Sequence, residues 1–170
     1  MKEKYDIVMY FYWTHPYVVH KYLALHNRLK KKCDVLTIIG EGEFGISREA
    51  FSLFKEEDTE DVILQSVDDA LKTLQEVDFK VGVFSSNGRK GWVGPNGETP
   101  PELGARHPNV GRDIKIAKEK GAISVQISEM ITDFYYGGAD VVSLISPAMK
   151  TMHTDPRKYG TFHQYQWRPF

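Results

Sequence analysis

The feature that most restricts how this chain can fold is an alternation. Short apolar runs are each followed by a segment whose apolar residues recur at helical spacing. Residues 5–12 (YDIVMYFY), 33–39 (CDVLTII), 79–84 (FKVGVF), 122–127 (AISVQI) and 139–145 (ADVVSLI) are nearly continuous apolar stretches. Runs of that kind suit strands covered on both faces, which is the condition of a parallel sheet. Between the first two, Thr14 and Pro16 mark a helix start, and Val19, Tyr22, Leu23, His26 and Leu29 follow at helical spacing. That segment ends on Lys30, Lys31 and Lys32, where positive charge complements the helix dipole.

The rhythm continues along the chain. An apolar patch at Ala50, Phe51, Leu53 and Phe54 reads as one short helix, and residues 62–64 as a short strand. Residues 67–75 form a helix with Ala70, Leu71 and Leu74 inward. Asn109 stands where an N-cap belongs, with Val110, Ile114 and Ala117 on one face and Gly121 as the stop. Residues 129–135 read as a short helix or turn, and Pro147 as the start of another helix. Because parallel crossovers are right-handed in about 98% of cases, the expected fold is α/β. Its form is an open, doubly wound, mostly parallel sheet, a Rossmann-like or flavodoxin-like three-layer sandwich. A length of 170 residues suits one such domain, spanning 1–150. The aromatic and basic tail 151–170 (TMHTDPRKYGTFHQYQWRPF) is expected to pack on the domain or on a partner.

Composition narrows the functional classes. The net charge of -1 gives no global attraction for nucleic acid, and none is expected as a partner. The single cysteine, Cys33, cannot form an intrachain disulfide, and no paired-cysteine spacing offers a metal site. A reducing, cytoplasmic setting fits, with no membrane span and no targeting segment at the amino terminus. No G-x-G-x-x-G follows the first strand, and GRKGWVGPNG lacks the order of a phosphate loop, so dinucleotide binding is disfavoured and no cofactor is expected.

In open α/β sheets, ligands bind beyond the carboxyl ends of the strands. Four places are nominated by that rule. Thr14 and His15 follow the first strand, where helix-terminal amides can receive an anion and the imidazole can exchange a proton. Asn87, Gly88, Arg89 and Trp92 follow the strand 79–84, inside a segment, 85–108, that holds five glycines and four prolines. Cations beside an indole can clamp a phosphate or a sugar ring, and a solvated loop is the plain alternative. Arg106, His107 and Arg112 flank the start of the next helix and suit an anion; pairing of Arg112 with a nearby acid is the competing account. Glu129 and Asp133, four residues apart, can serve as general base and partner, or simply favour a helix dipole. His20 and His26 read as packed or surface residues.

The order of YDIVMYFYW, HPYVVHKYLALHNRLKKKCDVLTIIG, GAISVQISEM and GGADVVSLISP resembles the N-terminal domain of GT-B glycosyltransferases. That resemblance implies an acceptor-binding half of a glycosyltransferase, with a nucleotide sugar bound by a separate or missing C-terminal donor domain. His15 or Glu129 is then the catalytic group that activates the acceptor hydroxyl, and Asn87, Arg89, Arg106 and Trp92 hold the acceptor. Two other readings stay open. NVGRDIKIAKEKGAISV is similar to nucleoside deoxyribosyltransferases or related N-glycosidic hydrolases, and a non-catalytic flavodoxin-like binding or regulatory domain needs no chemistry at all. Self-association into a homo-oligomer is compatible with each.

Overall fold

The computed structural model of the chain describes residues 1–12, 16–42, 45–54, 59–85, 110–128 and 139–144. Among the described residues, six strands build one sheet. They are β1 (Lys4–Phe11), β2 (Val35–Gly40), β3 (Val62–Gln65), β4 (Asp78–Ser85), β5 (Ile123–Ser128) and β6 (Val141–Leu144). The helices described are α1 (Pro16–Leu29), α2 (Arg48–Ser52), α3 (Val67–Glu76) and α4 (Val110–Glu119). The strand order is β3-β2-β1-β4-β5-β6, and every neighbouring pair is parallel. This is the doubly wound α/β arrangement that the alternation implies. No described helix is long and apolar enough to cross a membrane.

Two apolar layers sandwich the sheet. On one face Val8, Tyr10, Tyr12, Leu36 and Ile38 pack with Ala70 and Leu74 of α3 and with Ile114 and Ala117 of α4. On the other, Met9, Phe11, Val35 and Ile39 pack with Val19, Tyr22 and Leu23 of α1 and with Ile46 and Phe54. Phe11 and Tyr22 stack with ring centroids 3.9 Å apart. Every residue of β2 is buried, as a strand covered from both sides must be. Each fully buried Leu, Ile or Phe contributes roughly 1.5–3 kcal/mol.

Local chemistry sets the element ends. Ser66 caps α3: its Oγ accepts from the Asp69 amide at 3.2 Å and donates to the Asp69 carboxylate at 2.8 Å. That is the S-x-x-D pattern of a capping box. Ser47 caps α2 the same way, accepting from the Ala50 amide at 3.1 Å. Gly121, at φ 72°, closes α4, with its amide on the Lys118 carbonyl and the Ala122 amide on the Ala117 carbonyl. A side chain at that φ would be strained, which is why glycine follows the last turn.

Differences from the sequence-based expectations are small and have causes. β2 starts at Val35 rather than Cys33, because the Cys33 amide still donates to Leu29 and the Asp34 carbonyl accepts from Asp6 and Ile7. β1 stops at Phe11, one residue short of the apolar run. β3 reaches Gln65, and its half-buried residues match its place at the sheet edge. Ala70 and Leu74 are buried as expected, while Leu71 is only half-buried and Thr73 takes the third inward place. Leu53 points into solvent, although Ala50 and Phe51 pack inward beside Phe54. The expected helix start at Pro147, the turn at 129–135 and the tail lie outside the described residues.

Candidate functional site

The strand order reverses at β1. β2 and β3 lie on one side of it, and the chain then crosses to the other side to form β4; open α/β sheets form their ligand crevice at such a switch point, here outside the carboxyl ends of β1 and β4. Phe11 pairs with Ser85, and Ser85 with Ile127, so β1, β4 and β5 end in line. α4 connects β4 to β5 and packs on both, which directs its amino end toward the same edge.

Tyr10, near the end of β1, faces the α4 layer and is 2% exposed. Tyr12 follows on the same face, its ring edge-on to Tyr10 at 6.2 Å. Asp113, in the first turn of α4, is 3% exposed. The Nε of Arg112 lies 3.9 Å from its Oδ1, close enough for attraction but too long for a hydrogen bond. The Tyr10 hydroxyl, Asp113 Oδ1 and Arg112 Nε are all buried, and none has a hydrogen-bond partner among the described residues. Each such group costs about 1–3 kcal/mol and is unusual in a native core.

Electrostatics follow from that burial. Removal from water pushes the Asp113 carboxyl up to about 7, and the Arg112 guanidinium only partly offsets the effect. Burial, reinforced by the Asp113 charge, pushes the Tyr10 phenol up as well. The carboxyl therefore changes charge near neutral pH. The phenol stays protonated and can donate.

A tight backbone contact holds the neighbouring strand end. A side chain at Gly40 would place its Cβ 2.8 Å from the Tyr12 Cα and carbonyl oxygen, so only glycine lets β2 lie this close to the end of β1. Beyond it, the Ile46 amide returns to the Gly40 carbonyl at 2.9 Å, and Arg48 pairs with Glu41 at 2.7 Å.

The opposite, amino edge of the sheet also carries a cleft. It encloses about 140 Å³ and is lined by Lys2, Lys30, Cys33, Asp34, Val35, Glu60 and Asp61. Its charges answer one another: Lys2 meets Asp34 at 2.6 Å, Lys30 meets Glu60 at 3.7 Å, and Tyr5 donates to Asp61 at 3.1 Å. Such internal pairing leaves little to recognise a ligand. The cleft also lies at the end of the sheet where open α/β folds do not bind substrates. Burial pushes the Cys33 thiol up, away from the reactive thiolate.

Of the residues nominated from the sequence, Arg112 falls within the described residues, beside the acid that the competing account foresaw. Thr14, His15, Asn87, Gly88, Arg89, Trp92, Arg106, His107, Glu129 and Asp133 lie outside them. His20 is exposed and meets Phe54 edge-on at 4.6 Å. His26 is fully buried, with Nδ1 2.8 Å from Thr37 Oγ1 and Nε2 2.8 Å from the Glu60 carbonyl. A carbonyl only accepts, so Nε2 carries the proton, and the ring ties α1 to β2 and to the turn before β3. Asp113 and Tyr10 escaped sequence reading, although a signal existed. Asp113 shares the helix face of Val110, Ile114 and Ala117, so a carboxylate sits on an otherwise apolar stripe.

No family model matches this chain, and no curated protein matches it either. Among the described residues no cluster of three or more His, Cys, Asp or Glu side chains is arranged to hold a metal ion.

Proposed function

We propose that this chain is the acceptor-binding domain of a sugar-transfer enzyme, in the manner of the N-terminal half of a GT-B glycosyltransferase. The observation that supports the reading best is the alignment of strand ends. Phe11, Ser85 and Ile127 stand side by side, so the strand ends preceding three of the four segments nominated from the sequence are adjacent. The fourth segment leads into α4, whose amino end is directed to the same edge.

In this reading the acceptor lies beyond β1 and β4. His15 or Glu129 activates its hydroxyl, while Asn87, Arg89, Arg106 and Trp92 hold it, the indole against a sugar face and the cations on polar substituents. A nucleotide sugar bound by a donor domain supplies the glycosyl group. Aromatic side chains beside polar donors are common in carbohydrate sites.

The test is thermal stabilisation by a panel of methyl glycosides, nucleotide sugars, sugar phosphates and nucleosides. Ligand at about a hundred times its Kd adds about 2.7 kcal/mol, which raises the midpoint of a chain this size by several degrees. Stabilisation by the sugar-bearing compounds is the expected result. Stabilisation by nucleosides alone overturns the reading in favour of N-glycosidic chemistry.

A further inference from the structure

We infer that the segment 151–170 of this chain docks on the pocket beside α2, seating one of its aromatic rings against Phe51 and Phe54 and its basic residues against the acids around them. The inference is independent of the sugar-transfer reading.

A cavity carries it. Between α2 and Thr59 lies a pocket of about 180 Å³, lined by Arg48, Phe51, Ser52, Phe54 and Thr59. An apolar cavity of roughly 150 Å³ takes benzene, so this one has room for a single aromatic side chain. The hydroxyls of Ser52 and Thr59 can answer a phenol or an indole N–H at its rim. The surface beside the pocket is uncovered as well. No residue of α2 is buried, and Leu53, its C-cap, is 81% exposed. Phenylalanine walls and an exposed leucine in one place mark a surface suited to docking.

Charge selects the occupant. Residues 41–60 hold seven acidic and two basic side chains, although the whole chain carries a net charge of only -1. Glu49 and Glu60 among those acids are exposed. Residues 151–170 hold three bases, Arg157, Lys158 and Arg168, with a single acid and five aromatic rings. Opposite charge steers such a segment to this face, and its rings suit the pocket. The same face of a second copy would bring acid against acid. Reach is sufficient too. From β6 to β3 the sheet is about 24 Å wide, at roughly 4.8 Å per strand interval. The chain from Leu144, at the end of β6, to Tyr159 can extend to about 50 Å.

The experiment is limited digestion of the full chain with chymotrypsin, which cleaves after the rings of 151–170, read by mass spectrometry over a range of protein concentrations. It is run on the wild type, on Leu53→Lys and on Arg157→Glu/Lys158→Glu, with circular dichroism as the check on folding. Leu53 is exposed and the other two positions lie in the docking segment, so each variant keeps the α/β core. The expected result is slow cleavage at Tyr159 and Phe162 in the wild type. Cleavage becomes about ten-fold faster in either variant, because it follows the population of the undocked form. The effect of the charge reversal shrinks in high salt. Nuclear Overhauser contacts from the Phe51 or Phe54 ring to a ring of 151–170 are the direct signature. Equal cleavage rates in the three proteins overturn the docking, as does the absence of those ring contacts. Protection that grows with protein concentration overturns docking within one chain in favour of capture by a second copy.

Discussion

Arg112 Nε stands 3.9 Å from Oδ1 of Asp113, its neighbour in the chain, and yet does not hydrogen-bond to it. The Arg112 side chain is partly exposed while that of Asp113 is buried, and their attraction is too weak to undo the cost of burying the acid. Asp113 is consequently half-protonated near neutral pH, at about 7, while an ordinary aspartate ionises near 3.8. The consequences concern both stability and binding.

Stability should fall as pH rises through this window. The folded pKa is raised, so between 3.8 and about 7 the native state binds more protons than the unfolded state. The contribution is intact below the lower value, declines by up to roughly 1.4 kcal/mol per pH unit, and is lost above the upper one. Urea denaturation across this range should show the decline in the wild type. Asp113→Asn should lack it and be the more stable protein at mildly alkaline pH.

Removing the Tyr10 hydroxyl should cost the fold little. The phenol has no hydrogen-bond partner among the described residues, so Tyr10→Phe discards a buried, unsatisfied group while keeping the ring in its cluster. Its unfolding free energy should match or exceed that of the wild type, within about 1 kcal/mol. A loss of several kcal/mol would mean that the hydroxyl is satisfied within the fold.

His26 should be structural and not catalytic. His26→Leu removes the hydrogen bonds to the Thr37 hydroxyl and the Glu60 carbonyl, at a cost of about 2–4 kcal/mol by denaturant titration. The double variant His26→Leu/Thr37→Val also removes the buried hydroxyl and should recover part of the loss. Ligand affinity should be unaffected in any variant that remains folded.

Gly40→Ala should weaken both stability and binding. The added Cβ would lie 2.8 Å from backbone atoms of Tyr12, which cannot move without shifting the end of β1. Overpacking of this kind costs about 1–3 kcal/mol. The strand end that moves is the one bordering the crevice, so glycoside affinity should drop as well.

These expectations draw on the fold and on the site, and the two were not equally readable from the sequence. β1 and β2 announced themselves as nearly continuous apolar runs because both faces of each strand are covered. α3 was marked by its Ala70–Leu74 face, and α4 by Val110, Ile114, Ala117 and Gly121. β3 left a faint trace, since a four-residue edge strand with three half-buried residues has little pattern to show. The site was harder. A carboxylate in the first turn of a helix is ordinarily a solvated group favouring the dipole, and only its place on the face of Ile114 and Ala117 set Asp113 apart. Its burial comes from packing between elements far apart in the chain, and only the crossing from β3 to β4 brings β1 and α4 into one apolar cluster. Arg112 was readable as a base near a helix start, but its neighbour's burial was not.

Amide NMR during titration with methyl glucoside tests most directly whether the carboxyl edge of the sheet is the working edge. Shifts concentrated at Tyr10–Tyr12, Phe84–Ser85 and Arg112–Ile114 are the predicted result. Shifts confined to Lys2, Asp34 and Asp61, at the amino edge, would contradict it.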